Sequence, residues 1–160
     1  MLPPPYADAD RPARRPVWEA LSTFWLDAEM TAIGAYYVVR TVLESPYTVA
    51  EAEAIHWHEV APAVYGTALS VAGEWAAFDE GWLAERCDRR ARQRRPGWRR
   101  AGRTRALRAL AGPLPDLVFD RARRAERDGL PPAPTGPPVS LLVSGDPLVL
   151  RRPLRYRVPW

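Results

Sequence analysis

"SPYTVAEAEAIHWHEVAP", residues 45–62, establishes the helical pattern of the chain. Pro46 predicts the end of a preceding helix, because the residue before a proline is pushed out of the helical region. Thr48 and Glu51 have the spacing of a capping box, in which each side chain binds a backbone amide of the other residue. The stretch therefore predicts a helix from Thr48 to about Ala61, just before the next proline.

Apolar residues at helical spacing on both sides predict three more helices. They run from Pro16 to about Leu26, from Thr31 to Glu44, and from Glu80 to about Arg95, the last capped by Asp79 and ended by Pro96 and Gly97. The predicted fold is mainly α, a small acidic four-helix domain over residues 15–96.

The remaining segments are predicted from composition. Residues 1–14 are rich in proline and charge and are predicted to be disordered. Residues 97–128 form a basic, partly ordered extension in which Pro115 to Asp128 could be a helix. Five prolines in residues 129–138 predict a semi-rigid linker. Residues 139–160 resemble a β-hairpin around a Ser-Gly-Asp-Pro turn.

Charge divides the chain into two halves. Residues 1–84 carry four Arg and twelve Asp or Glu, a net charge of −8, and residues 85–160 carry nineteen Arg and seven acids, a net charge of +12. The absence of Lys and Asn indicates a GC-rich bacterial genome, which explains part of the arginine content. Codon bias acts on both halves, so it does not explain their opposite charges. The basic half binds an anionic partner, is a solvated or disordered extension enriched in arginine by codon bias, or folds back on the acidic half.

Composition excludes several kinds of chemistry. A chain without lysine has no Walker A loop, pyridoxal phosphate Schiff base or Ser-Lys pair. The single cysteine, Cys87, lies on an apolar helix line and is predicted to be a packing residue in a reducing compartment. No signal peptide and no membrane span are predicted. We expect a cytoplasmic protein with no cofactor and no catalytic residues.

The two histidines raise the question of a metal site. His56 has Glu53 and Glu59 three residues to either side, the Glu-x-x-His spacing of di-iron bundles. A carboxylate–histidine metal-dependent enzyme would use Asp27, Glu29, Glu53, His56 and Glu59. The simpler interpretation is that His56 lines the core edge and pairs with a glutamate, while His58 caps the end of the helix. We favour the simpler interpretation.

Acids and large aromatic residues are concentrated in "GEWAAFDEGW", residues 73–82. Tryptophan is a frequent interface anchor, and acids beside exposed aromatic rings suit a basic partner. This predicts a protein-binding surface formed by Glu74, Trp75, Phe78, Asp79 and Trp82. The alternative is that Trp75, Phe78 and Trp82 fill the core.

Eleven arginines lie between Arg86 and Arg108, with Trp98 among them. Arginines with an interleaved aromatic ring suit a phosphate backbone and a stacked base. Nucleic-acid binding would use Arg94, Arg95, Trp98, Arg99, Arg100, Arg103 and Arg105.

Several short motifs occur in an order that resembles a family of short, uncharacterised bacterial proteins, a domain of unknown function. They are "RPVWEALS" (15–22), "LDAE" (26–29), "SPYT" (45–48), "HEVAP" (58–62), "LSVAGEWAAFD" (69–79) and "WLAER" (82–86). The resemblance covers about residues 15–92 and implies a domain boundary, without an activity, ligand or cofactor. We therefore expect a non-enzymatic protein-binding module, of an inhibitor or immunity type, with an unidentified and basic protein partner.

Overall fold

The computed structural model describes residues 1–26, 30–68, 78–93 and 97–134, and for 66–68 and 97–100 the backbone alone. The predicted mainly-α class is confirmed, and the described residues contain no strand. The α-helices are α1 (Arg11–Ser22), α2 (Ala32–Glu44), α3 (Val49–Ile55), α4 (Ala61–Ala68), α5 (Glu80–Arg92), α6 (Gly97–Ala111) and α7 (Leu114–Asp128). Short 3-10 turns cover Asp8–Asp10 and Thr23–Trp25, and His56–Val60 is π-helical.

The predicted starts of α3 and α5 are confirmed by their caps. The Thr48 hydroxyl accepts a hydrogen bond from the Glu51 amide, and the Glu51 carboxylate accepts one from the Thr48 amide at 2.9 Å. Asp79 accepts a hydrogen bond from the Trp82 amide at 2.8 Å at the start of α5. These side chains satisfy amides that have no partner within the helix.

The predicted end of the third helix at Ala61 is wrong. The helix continues from α3 through the π-helical segment into α4, past Pro62. In the π-helical segment the Ala61 amide donates to the carbonyl of His56, five residues earlier. Because this wider turn leaves a carbonyl without its usual amide partner, a residue with no N–H is tolerated directly after it.

The first helix begins earlier than the sequence predicts. α1 starts at Arg11, with Pro12 in its first turn, and continues through Pro16. Residues 1–14, predicted to be disordered, contain a 3-10 turn and the start of α1 in the structure. Tyr6 packs against the main core, which gives this proline-rich segment an anchor that its composition does not reveal.

The continuous helix formed by α3, the π-helical segment and α4 is called the central helix. The core lies between α1, α2, this central helix, α5 and α7. Its buried side chains include Val17, Trp18 and Leu21 of α1, Val38, Val39 and Val42 of α2, Ile55, Val60 and Val64 of the central helix, and Leu83 and Cys87 of α5. Cys87 is fully buried as a packing residue, and burial raises the pKa of its thiol.

Helix α7 belongs to this same core, although the sequence analysis assigned residues 97–128 to an extension. Val118, Phe119 and Ala122 are each at most 2% exposed and pack with the side chains of α2. The chain turns from α6 into α7 at Gly112, whose φ of 67° favours glycine. The structure thus adds α6 and α7 to the four predicted helices, and α7 packs in the same core.

Within the described residues, no helix combines the length and apolarity needed to cross a membrane. The predicted hairpin at 139–160 lies outside the described residues, as do Asp27, Glu29, Glu74, Trp75, Arg94 and Arg95.

Candidate functional site

A buried ion pair lies at the centre of the helical domain. Arg14 of α1 is 0% exposed and Glu59 of the π-helical segment is 1% exposed, and their side chains meet at 2.5 Å. The indole N–H of Trp18 donates to the second oxygen of Glu59 at 2.8 Å. Burial raises the pKa of Glu59 to about 7, while Arg14 and Trp18 oppose this shift. Both carboxylate oxygens therefore have partners.

Residues 1–10, the N-terminal segment, cover the other side of Arg14. The Arg14 guanidinium donates to the Pro4 carbonyl at 3.1 Å and lies 5.2 Å from the centre of the Tyr6 ring. The Tyr6 hydroxyl donates to Asp88 of α5. These contacts connect the N-terminal segment to α1 and α5.

The burial of Arg14 was not predicted from the sequence. The signal is its position: Arg14, Trp18 and Leu21 recur at spacings of four and three, on the buried face of α1. Because the predicted helix began at Pro16, this regularity did not include Arg14.

His56 lies in an aromatic box, which corrects its predicted position at the core edge. Its ring is 0% exposed, with ring centres 5.2 Å from Phe24, 6.3 Å from Trp25, 4.5 Å from Trp57 and 5.9 Å from Phe119. Neither ring nitrogen has a hydrogen-bond partner in the described part of the chain. Burial, with a smaller contribution from Arg108, lowers the pKa of His56 to about 3.

Of the predicted metal ligands, the structure describes Glu53, His56 and Glu59, and it gives the two carboxylates other partners. Glu53 binds Arg108 at 2.5 Å and also pairs with Arg123, whereas Glu59 binds Arg14. His56 forms no hydrogen bond with either carboxylate, and no group of three metal-ligating side chains occurs among the described residues. His58 lies within the continuous helix, and its Nε2 is 3.3 Å from the Met1 carbonyl oxygen.

The described part of the acidic, aromatic stretch forms a surface at the start of α5. Phe78 and Trp82 stack with ring centres 5.8 Å apart and an interplanar angle of 12°. Both rings pack against the core on one side and are partly exposed, so the core role holds in part for these two residues, and the binding role stays a prediction. Asp79, Glu80 and Glu85 are exposed beside them. We call these five residues the α5 N-terminal surface.

The described arginines of the run lie on α5 and α6, and some of them contact the acidic half. Arg92 of α5 pairs with Asp88 and with Asp8, and Arg108 of α6 pairs with Glu53. Trp98, Arg99 and Arg100 lie on α6. Arg103 lines the smaller of two clefts and Arg105 the larger.

These two clefts flank the π-helical segment. The larger, about 580 Å³, lies between α3 and α6 and is lined by Trp57 and His58 of this segment. The smaller, about 340 Å³, is lined by His58 and Glu59 and by residues of the N-terminal segment. The π-helical segment therefore contributes to both clefts, and π-helical turns are frequent at functional sites.

Comparison with known proteins identifies the family. A family model described as "Domain of unknown function (DUF7079)" matches residues 12–116, which include the buried ion pair, the α5 N-terminal surface and both arginine-bearing helices. No curated protein and no solved structure matches the chain. Because the family model covers more than half of the sequence, the chain belongs to the DUF7079 family of domains of unknown function.

Proposed function

We propose that this protein is a non-enzymatic binding protein of the bacterial cytoplasm, of an inhibitor or immunity type. It binds a basic protein partner through the α5 N-terminal surface. The observation that carries the proposal is the parallel stack of Phe78 and Trp82, partly exposed beside the exposed carboxylates of Asp79, Glu80 and Glu85.

The aromatic stack has the properties of an interface anchor. One side of Phe78 and Trp82 is fixed by the core, so binding costs little side-chain entropy. The guanidinium of Arg86 lies 4.8 Å from the centre of the Trp82 ring and restricts the indole further. A rigid, partly exposed tryptophan supplies much of the binding energy in many interfaces.

The acids around the stack favour a basic partner. Glu85 forms no ion pair with any residue that the structure describes, and the Glu80 side chain is 71% exposed although it contacts Arg15. Complementary charges increase the association rate and exclude acidic partners. The predicted contributors Glu74 and Trp75 immediately precede this surface in the sequence.

The burial of the chemically reactive side chains supports a non-enzymatic role. His56 and Cys87 are each 0% exposed. A substrate reaches neither side chain unless it displaces helices of the core. Glu59 lines the smaller cleft, but Arg14 and Trp18 already bind its two carboxylate oxygens.

The test compares proteins captured by the wild type with those captured by charge-reversal variants. We expect Glu80→Arg and Glu85→Arg each to reduce the captured amount of one basic partner by at least about tenfold, because like charges across an interface repel. Glu44→Arg is the matched control, since Glu44 is an exposed acid that pairs with Arg40 on α2. Equal loss in the control, or no loss in either surface variant, would contradict the proposal.

Nucleic-acid binding through the arginine run is a second candidate. Arg89 and Arg105 are exposed and form no ion pair within the described ranges. Such binding predicts that affinity falls linearly with the logarithm of salt concentration, with a slope near the number of phosphates contacted. Affinity for single-stranded DNA that is insensitive to Arg89→Glu and Arg105→Glu would exclude this candidate.

A further inference from the structure

The larger cleft is lined by small side chains of two helices, together with Met1 and Leu2 at the N-terminus. Ala50 and Ala54, four residues apart, line it on α3. Ala101 and Thr104, three residues apart, line it on α6. These spacings place each pair on one helix face. Side chains of this size leave about 580 Å³ unfilled, within the range of small-molecule sites.

A flat cationic group lies on the floor of this cleft. The guanidinium of Arg108 rests 5.0 Å from the centre of the Trp57 ring, and Glu53 fixes it there at 2.5 Å. The Trp57 side chain is buried, whereas 45% of the Arg108 side chain remains exposed. Arginine stacks on flat π-systems, so a planar ligand can lie on the outer face of this guanidinium.

The charges at the cleft favour an anion. Glu53 is the carboxylate that lines it, and its two oxygens are shared by Arg108 and Arg123. Arg105 lines the same cleft, is exposed, and forms no ion pair with any residue of the described ranges. The lining of the cleft thus carries two arginines, Arg105 and Arg108, and one carboxylate, Glu53, which leaves a surplus of one positive charge.

We propose that the cleft between α3 and α6 binds an organic anion with a flat aromatic body. The ring system lies against Arg108 and the alanine walls, and the carboxylate, sulfonate or phosphate of the ligand binds Arg105. Arginine recognises such groups through paired N–H donors in a fixed geometry. This site is separate from the α5 N-terminal surface and does not depend on a protein partner.

The test uses 1-anilinonaphthalene-8-sulfonate, an aromatic sulfonate whose fluorescence increases in apolar sites, with the full-length protein. Its neutral analogue, N-phenyl-1-naphthylamine, has the same rings without the charge. We expect saturable binding of one sulfonate per chain, and binding of the neutral analogue at least about tenfold weaker, as loss of a charge-assisted hydrogen bond predicts.

Two kinds of variant localise the probe. Arg105→Glu should weaken the sulfonate at least about tenfold and leave the neutral analogue within about twofold, since it removes charge recognition alone. Ala101→Phe should block both probes by filling the cleft. Because Ala101 is exposed on α6, this variant is expected to fold, and its melting temperature checks that it does. Arg89→Glu on α5, outside the cleft, is the matched charge control.

Two results would overturn the proposal. Sulfonate affinity equal in the wild type, Arg105→Glu and Ala101→Phe would show that the probe binds elsewhere. Displacement of the sulfonate by a short single-stranded oligonucleotide, with a steep salt dependence that Arg105→Glu removes, would assign the cleft to a nucleic-acid interface instead.

Discussion

Arg14 and Glu59 place opposite charges inside the core. Their ion pair, reinforced by the Trp18 indole and the Pro4 carbonyl, connects α1, the central helix and the N-terminal segment. Buried pairs of this kind contribute little compared with an apolar replacement, but removal of one partner leaves an uncompensated charge in the core. The arrangement therefore specifies which segments meet more than it adds to stability.

The difference between replacing one partner of this ion pair and replacing both gives the first prediction. Arg14→Met and Glu59→Leu should each lower the free energy of unfolding by about 3–5 kcal/mol, because each leaves a buried charge unpaired. The double variant should recover most of that loss. Urea unfolding of all four proteins measures the coupling, and additive losses in the double variant would show that the two side chains do not interact.

The titration of His56 gives a second prediction. In the folded protein its pKa is lowered to about 3 by burial, while in the unfolded chain it binds a proton below about pH 6.5. The unfolded state therefore binds more protons as the pH falls from about 6.5 to 3. Over this range His56 reduces the free energy of unfolding by up to about 1.4 kcal/mol per pH unit.

Glu59 acts in the opposite direction. Its folded pKa is raised to about 7, above its ordinary value of 4.5, so the folded protein keeps a proton that the unfolded chain has released between these values. The contribution of Glu59 to the free energy of unfolding therefore falls as the pH rises from about 4.5 to 7. The two effects oppose each other between about pH 4.5 and 6.5, which predicts a weak pH dependence of the wild type there.

His56→Leu separates the two effects. The free energy of unfolding of this variant, relative to that of the wild type, should rise by about 2 kcal/mol as the pH falls from 7.5 to about 4.5. The reason is that the variant lacks the imidazole whose protonation favours the unfolded chain. Ile55→Val is the control, since it shortens a neighbouring buried side chain that does not titrate. A loss above about 2 kcal/mol at both pH values would instead show that the imidazole makes a stabilising hydrogen bond.

Helix α7 changes the extent of the domain. It supplies Phe119 both to the main core and to the aromatic box around His56. α6 contributes less, since its Leu107 packs in a small separate cluster with Trp57 and Ala61. The folded unit therefore extends through Asp128.

Substitutions on the last two helices test this extent. Phe119→Ala should destabilise the protein by about 3–5 kcal/mol, the range for a large aromatic side chain in a core. Leu110→Ala on α6 is the control and should change stability by less than about 0.5 kcal/mol, because Leu110 is 56% exposed. If both variants unfold at the same urea concentration as the wild type, α7 is not part of the core.

Local signals account for the elements that the sequence predicted well. Thr48, Glu51 and Asp79 are caps that act within a few residues, so the starts of α3 and α5 follow from spacing. The passage through Pro62 depends on a π-helical turn, which has no comparable sequence signature. The role of α7 rests on an apolar stripe that includes Val118, Phe119 and Ala122, whereas the predicted extension over residues 97–128 was based on composition.

The candidate sites were less predictable because they depend on contacts between distant segments. The arginine run was visible in the sequence, but Arg92 and Arg108 pair with Asp8 and Glu53, which lie 84 and 55 residues earlier in the chain. The glutamates near His56 were also visible, yet each binds an arginine of another helix. Spacing along one helix does not show which face meets which neighbour.

The two oppositely charged halves are in contact in the folded chain. Arg92 pairs with Asp8, and Arg108 and Arg123 pair with Glu53. Partly exposed pairs of this kind contribute about 0–1 kcal/mol each, so apolar packing provides most of the association. The internal pairing also leaves fewer arginines for an external anion, which favours the acidic α5 N-terminal surface as the principal interface.

Photocrosslinking tests whether the α5 N-terminal surface is the principal interface. A benzophenone amino acid is placed at Glu85, on the α5 N-terminal surface, and in a second protein at Tyr37, an aromatic residue of α2 that is 54% exposed. We expect position 85 to crosslink one basic protein in cell extract, Glu80→Arg to abolish this product, and position 37 not to yield it. The same product from both positions, or none from position 85, would rule out the α5 N-terminal surface as the principal interface.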